Sequence, residues 1–189
     1  MILQALVNHY ENLAEQEKVE QEGWCKAKVS YAINLSKDGK ILGVLSLKQE
    51  EERGKKRVWI PRQIKVPEMV IRASGISANF LCDNSKYTLG IDENGTNQRV
   101  LECFEAAKKR HLWLLHETEG EMAQAVKNFF ETWNPEKAEE CDAIREKWEE
   151  ITDGGNLIFC MGLKYAQDDP YIQETWERER NVSSEGEQT

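Results

Sequence analysis

Residues 29–47 read VSYAINLSKDGKILGVLSL, and this stretch sets the architecture of the whole chain. Its apolar residues at positions 29, 31, 33 and 35 alternate with small or polar ones, which is the period of a strand with one buried face. Asp38-Gly39 then supplies a two-residue hairpin turn, and residues 41–47 return as a second apolar strand. The stretch therefore predicts an antiparallel hairpin that needs a hydrophobic partner.

The flanking sequence offers that partner and a further strand. Upstream, apolar residues recur at helical spacing and predict an amphipathic helix of about four turns that packs on the sheet; they are Ile2, Leu3, Leu6, Val7, Tyr10, Leu13 and Ala14. Downstream, VWIP at 58–61 predicts a third strand ended by proline. Between them, EEERGKKR at 50–57 reads as a solvated connection.

The C-terminal half has the spacing of helices. One apolar stripe contains Val100, Phe104, Ala107 and Leu114 or Leu115. Thr118 and Glu121 form a predicted capping box ahead of a second stripe at 122–133. Asn134 before Pro135 predicts the N-cap of a third helix, with apolar positions 141, 144, 148 and 151 and an end at 153–155. LIFCMG at 157–162 then predicts a buried strand that returns to the sheet, and a short helix follows around 171–177.

The predicted fold class is α+β: an N-terminal helix on a small, mostly antiparallel sheet, followed by a helical segment and a returning strand. Residues 1–180 form the predicted domain, with helix and sheet at 1–97, helices at 98–152, and the returning strand and short helix at 153–180. Residues 181–189 are polar and aperiodic, so they are predicted to be a disordered tail.

Composition narrows the class of protein. A chain of 189 residues with 40% hydrophobic and 31% charged residues is typical of a globular domain, and its net charge of −9 excludes a uniformly basic surface. The first residues lack the basic region of a signal peptide, and no apolar run approaches the ~20 residues of a membrane span. Five scattered cysteines favour free thiols in a reducing cytoplasm, so a cytoplasmic protein is expected.

The charge is distributed unevenly. Residues 53–72 contain seven basic residues and one acidic residue, so this segment is +6 and the rest of the chain is −15. A solvated surface is the usual meaning of a charge run, but the scarcity of acids and the presence of Trp59 favour contact with phosphates. The candidates for phosphate contact are Arg53, Lys55, Lys56, Arg57, Arg62 and Lys65.

The segment ANFLCDNSKYTLG at 78–90 places polar side chains among apolar ones. Two interpretations of Asn79 and Asn84 stay open, because an asparagine can cap a turn or offer a donor and an acceptor to a base edge. Phe80, Leu81 and Tyr87 are predicted to be core residues.

No motif of catalysis is legible in the chain. It lacks a GxSxG elbow, a GxxxxGK[ST] loop and a CxxC pair, and His111 and His116 lie on different helix faces, which favours surface or capping roles. DENG at 92–95 lacks the ligand spacing of a calcium loop and predicts a turn. The sequence thus predicts a protein that is not an enzyme and has no metal and no cofactor. A metal-dependent nuclease and an assembly scaffold with interface tryptophans remain alternatives; the tryptophans are Trp113, Trp133, Trp148 and Trp176.

Several segments together resemble a known family. MILQALVNHYENLA, KVSYAINL, IPRQIKVP, SGISANFLCDNSKYTLG and RVLECFEAAKKRH occur in this order. They resemble the large subunit of the subtype I-C CRISPR surveillance complex (Cascade), over essentially the whole chain. Members of that family are several times longer, so the resemblance implies an N-terminal portion.

The resemblance implies a non-catalytic subunit that recognises the protospacer-adjacent motif of target double-stranded DNA, supports duplex opening and helps to recruit a helicase-nuclease. The implied protein partners are the subunits that hold the 5′ end and backbone of the CRISPR RNA, and no membrane is involved. Base or groove contact is assigned by resemblance to a loop at 72–79 and nearby side chains: Arg72, Ser74, Ser77, Asn79, Asn84 and Lys86. The phosphate-positioning role falls on the six basic residues named above.

Overall fold

A computed structural model of the chain describes residues 22–186, so the predicted N-terminal helix lies outside the described residues. The strands are β1 Trp24–Leu35, β2 Ile41–Ser46, β3 Gln49–Arg53, β4 Lys56–Ile60, β5 Arg62–Pro67, β6 Cys82–Asp83, β7 Asn156–Met161 and β8 Lys164–Tyr165. The α-helices are α1 Ser85–Thr88, α2 Gln98–Leu115, α3 Glu121–Thr132, α4 Asp142–Arg145, α5 Trp148–Ile151 and α6 Pro170–Gly186, with 3₁₀ turns at Pro135–Glu140 and Ala166–Asp168.

Strand β1 organises the sheet, whose order is β2-β1-β7-β6. The first half of β1 pairs with β5 and its second half with β2, both antiparallel, whereas β7 pairs with it in parallel. The register of β1 against β7 shifts between Val29 and Tyr31. Such an irregularity changes which face the following side chains point to, so both faces of β1 contribute apolar residues. The predicted α+β class with a mostly antiparallel sheet is confirmed.

The larger core lies between one face of the sheet and helices α2, α3 and α6. Its centre is aromatic: the rings of Phe129, Phe130 and Phe159 have no exposed surface and lie 5.1–5.7 Å apart between centroids. Strand β7 is buried on both faces from Leu157 to Cys160, which explains its continuous apolar sequence. The returning strand predicted at 157–162 is therefore confirmed as a central strand.

The region between residues 36 and 67 differs from its prediction. The β1–β2 turn spans residues 36–40 rather than two residues, with Gly39 at φ +80°. Residues 50–57 are all exposed, as predicted, but they are not an irregular connection, because β3 and β4 pair as a separate two-stranded sheet. The predicted strand at 58–61 belongs to that hairpin, and the strand that joins the main sheet is β5, which the sequence pattern did not indicate.

The helical half differs at three points. The predicted capping box is wrong, because Gly120 occupies the N-cap of α3 and the Thr118 hydroxyl instead hydrogen bonds that of Thr175 at 2.6 Å. Asn134 caps the next turn as predicted, accepting from the Glu136 N–H at 3.1 Å. That third helix is divided into a 3₁₀ turn, α4 and α5. Helix α6 extends past the predicted 171–177 to Gly186, into the segment predicted as a tail, and the domain boundaries themselves stay predictions.

Two expectations from composition can be compared with the structure. All five cysteines are free thiols, as predicted. Within residues 22–186, no helix has the length and apolar content that crossing a membrane requires.

Candidate nucleic-acid interface

The loop between β5 and β6, residues 68–81, presents an exposed tip on a fixed base. Ile71 is fully exposed, and Ser74 and Gly75 are exposed beside it. At the base, the Val70 N–H donates to Asn79 Oδ1 at 2.8 Å. The Ser77 N–H donates to the Tyr87 hydroxyl at 3.4 Å. The loop is thus a protrusion of defined shape, because its own backbone groups are bonded to side chains beneath it.

An ion pair joins this loop to the sheet. Arg72 Nη2 donates to Asp83 Oδ1 at 2.5 Å, and the guanidinium lies 4.1 Å from the centroid of the Tyr87 ring. The Asp83 carboxylate also accepts from the backbone N–H groups of Asn79 and Asn84, at 3.1 and 2.9 Å. Burial raises the pKa of Asp83, while Arg72 and the two N–H groups act in the opposite direction. Arg72 therefore balances a carboxylate of which only 3% is exposed.

A buried histidine holds the other end of the loop. Leu81 has φ +64°, a left-handed conformation that is unfavourable for a branched side chain, and its N–H donates to His111 Nε2 at 2.9 Å. His111 Nδ1 donates to the Ala107 carbonyl at 2.7 Å. Because a carbonyl can only accept, the proton is on Nδ1, and because Nε2 accepts from Leu81, the ring is neutral. Burial lowers the pKa of His111 to about 4, in spite of the Ala107 hydrogen bond. The prediction of a surface or capping histidine is wrong for this residue.

The structure divides the six residues assigned to base or groove contact. Asn79 is 2% exposed, and Arg72, whose side chain is 22% exposed, is paired with Asp83, so both support the base of the loop. Asn84 caps α1 by accepting from the Lys86 N–H at 3.1 Å, the capping interpretation that the sequence had left open. Ser74, Ser77 and Lys86 are exposed. Asn79, Arg72 and Asn84 thus have structural partners in or beside the loop, and DNA contact by all six residues stays a prediction. Phe80, Leu81 and Tyr87 are core residues, as predicted.

The β3–β4 hairpin carries four of the residues assigned to phosphate contact. Arg53 Nε lies 2.9 Å from Glu51, and Arg57 lies 3.5 Å from Glu50 and 3.8 Å from Glu52. These acids precede the segment whose charge the sequence singled out. The arginines are therefore partly compensated across the hairpin, contrary to the expectation of a cluster almost without acids.

Further exposed lysines lie in the hairpin and on the strands β1 and β5. Lys55 and Lys56 are exposed at the hairpin turn. On β5, Lys65 is exposed directly opposite Lys26 of β1, a residue that the sequence reasoning missed. The alternation of lysines in the sequence CKAKV at 25–29 was a signal that could have identified it.

Residues considered for other chemistry have ordinary structural surroundings. Within residues 22–186, no group of three or more His, Cys, Asp or Glu side chains could hold a metal ion. DENG forms a tight turn, with backbone hydrogen bonds between Asp92 and Gly95 at 2.8 and 3.1 Å, as predicted.

The tryptophans considered for an assembly interface differ in exposure. Trp176 is buried, stacks on Phe80 and donates to the Gly23 carbonyl, so it is a core residue rather than an interface residue. Trp133 is half-buried and donates to the Leu89 carbonyl at 2.8 Å. Trp113 is exposed on α2.

The sequence was compared with known protein families and with curated proteins. The family described as CRISPR-associated protein (Cas_Csd1) matches residues 6–189. No curated protein matches the chain.

Proposed function

Because this chain belongs to the Cas_Csd1 family of CRISPR-associated proteins, we propose that it is the N-terminal portion of the large subunit of a subtype I-C surveillance complex. In this role it is a non-catalytic subunit that recognises the protospacer-adjacent motif of duplex DNA and supports opening of the duplex. Base pairing with the guide RNA then reads the rest of the target, because the protein of such a complex reads only a short motif and shape. Other subunits of the complex and a helicase-nuclease are its protein partners.

The main observation in favour of the proposal is the loop at 68–81, whose base is fixed by hydrogen bonds. Its exposed tip includes three small residues, Ala73, Ser74 and Gly75, close in sequence to the exposed Ile71. A Cβ atom built on Gly75 meets nothing within 4 Å, so the backbone there can approach another molecule closely. Short hydroxyl side chains can hydrogen bond base edges in a groove that a helix is too wide to enter. Because the base of the loop is already fixed by hydrogen bonds, it has little conformational freedom to lose, which lowers the entropic cost of recognition.

Exposed cations near the loop support the same proposal. Lys86 is exposed on α1, and Arg99 Nη2 donates to the Ser74 carbonyl at 3.4 Å, so α1 and α2 place positive charge next to the tip. Apart from the loop, Lys55 and Lys56 provide two exposed ammonium groups at the end of the β3–β4 hairpin. Contacts of this kind position a duplex without reading its sequence, while the loop supplies discrimination.

The proposal is tested by fluorescence anisotropy of the chain with duplexes in which a three-base motif is permuted. We expect one motif to bind most tightly. The variant Ser74→Ala/Ser77→Ala removes two hydroxyls, while the hydrogen bonds described for these residues use their backbone atoms. It should therefore reduce the preference among motifs and leave the fold intact.

A pair of glycine substitutions provides a matched control. Gly75→Ala and Gly43→Ala each add one Cβ where nothing lies within 4 Å and φ is negative. Only Gly75→Ala should weaken binding, because only that backbone would lie against DNA. Equal affinity for every motif in the wild-type chain, or equal effects of the two substitutions, would refute the proposal.

An assembly scaffold is the second candidate, favoured by the exposed indole of Trp113, which is 60% accessible on α2. A scaffold would bind no duplex, and Trp113→Ala would release the chain from its complex while leaving DNA affinity unchanged. A metal-dependent nuclease would instead cleave the duplexes with a divalent metal and lose that activity with a chelator.

A further inference from the structure

The ribbon formed by the first half of β1 and by β5 has two unlike faces. One face is apolar and is buried or half-buried in a smaller hydrophobic cluster, separate from the larger core; its side chains are Cys25, Ala27, Ile64 and Val66. The opposite face consists of Lys26 paired with Lys65 and Lys28 paired with Gln63, and all four side chains are exposed. We refer to these four residues as the lysine face.

The lysine face has no acid within its own strands. Neither β1 nor β5 contains an aspartate or glutamate. Like charges directly opposite in an antiparallel pair are destabilising, yet Lys26 and Lys65 occupy such a pair. The β3–β4 hairpin shows the opposite arrangement, since Glu52 is directly opposite Arg57. In a chain of net charge −9, this like-charged pair indicates a surface whose partner is an anion.

Within residues 22–186, Lys65 has an aromatic ring and a carboxyl as neighbours, whereas no ion pair involves Lys26 or Lys28. Lys65 Nζ lies 5.2 Å from the centroid of the Trp24 ring, a favourable cation–π distance. Burial raises the pKa of Asp168 and Lys65 lowers it, so this carboxyl is the acid that faces Lys65. Lys26 and Lys28 point outward on the same strand, two residues apart.

We propose that the lysine face binds the sugar-phosphate backbone of duplex DNA. The inference rests on the proposed function, in which the chain binds a duplex, and adds a surface with no role in reading bases. Lys26 and Lys28 are about 6.8 Å apart along the strand, because a strand rises about 3.4 Å per residue. This separation is close to that of successive phosphates in one strand of DNA, so two neighbouring phosphates can each meet an ammonium group. Such contacts increase affinity for every sequence equally.

The test compares the charge-neutral variant Lys26→Gln/Lys28→Gln with a control, Lys40→Gln/Lys109→Gln, which removes the same charge from exposed positions elsewhere. Binding to permuted-motif duplexes is measured by anisotropy over a range of salt concentrations. The slope of log affinity against log salt should fall by about 2 in the first variant, since each phosphate contact contributes about 0.9. Affinity should decrease by the same factor for every motif, and the control should keep the wild-type slope.

A second measurement does not depend on a variant. Lysine acetylation of the wild-type chain, read by mass spectrometry with and without duplex, should show protection at Lys26, Lys28 and Lys65 but not at Lys40 or Lys109. An unchanged salt slope, or no protection on adding duplex, overturns the proposal. Protection by single-stranded RNA in preference to duplex overturns the choice of DNA.

The two proposals fail differently. A wild-type chain without motif preference, whose salt slope still falls in Lys26→Gln/Lys28→Gln, refutes motif reading and supports the lysine face. Motif preference with equal slopes in both variants refutes the lysine face alone. A wild-type chain that binds no duplex at low salt overturns both.

Discussion

Protonation of His111 should destabilise the protein between neutral and mildly acidic pH. In the folded state Nε2 of His111 accepts a hydrogen bond from the Leu81 N–H. A proton on Nε2 would remove this acceptor and place two N–H groups against each other. Burial among the rings of Phe80, Phe130 and Phe159 further opposes the charge. The pKa of His111 is thus about 4 when folded, against about 6.5 when unfolded.

The sign and size follow from linkage. Between these two pKa values the unfolded chain binds more protons, so stability from this group is present above pH 6.5 and is lost as pH falls toward 4. The whole difference corresponds to about 3 kcal/mol, and about 2 kcal/mol is already lost at pH 5. Burial raises the pKa of Asp83, and a carboxyl with a raised pKa changes stability in the opposite direction as pH falls, so the comparison goes no lower than pH 5.

The assay is urea unfolding at pH 8 and pH 5, followed by tryptophan fluorescence, for the wild type and His111→Gln. Glutamine can still accept from Leu81 but does not titrate in this range. The free energy of unfolding of the variant should therefore fall by about 2 kcal/mol less than that of the wild type between the two pH values. His116→Gln changes an exposed histidine directly after the last residue of α2. This control should behave as the wild type.

One result would refute this reasoning. If the wild type and His111→Gln lose the same stability between pH 8 and pH 5, the ring is either protonated in the folded state or accessible to water. The neutral Nδ1–H tautomer, and with it the proposed support of Leu81, would then be wrong.

Three further predictions use the same unfolding assay. Lys26→Glu should replace the repulsion between Lys26 and Lys65 by an attractive pair, which raises the free energy of unfolding by about 0.5 kcal/mol. The same variant should bind duplex DNA more weakly. A loss of stability would contradict the cross-strand register. Arg72→Gln should lower the free energy of unfolding by about 3 kcal/mol, because the Asp83 carboxylate stays buried without its ion pair. Weaker DNA binding with unchanged stability would show instead that Arg72 contacts DNA directly. Gly39→Ala should cost about 2 kcal/mol or more, because its φ is +80° and the added Cβ would collide with the backbone of α3; a near-neutral effect would mean that the turn can move away from that helix.

Elements with a clear local sequence pattern were predicted correctly, and elements without one were missed. The β1–β2 hairpin and helices α2 and α3 were predicted from periodicity, since a repeat of 2 or 3.6 residues is imposed by the geometry of the element itself. Strand β7 was predicted from a short continuous apolar run. The β3–β4 hairpin was missed because its sequence QEEERGKKR is charged on both faces and has no apolar alternation to indicate pairing. The divided third helix was missed because its apolar spacing satisfied one helix as well as three short pieces.

The sequence by itself determined the fold class, the core residues and the region of the chain where basic residues concentrate. It could not assign roles to Asn79 and Arg72, since their partners depend on how the loop closes over β6. The pairing of Lys26 with Lys65 depends on strand register, and that of Leu81 with His111, 30 residues away, depends on helix packing. Such contacts carry no local periodic signal, because they join segments whose relative position is set only when the chain folds. Tertiary structure therefore decided which polar residues support the loop and which remain available to a ligand.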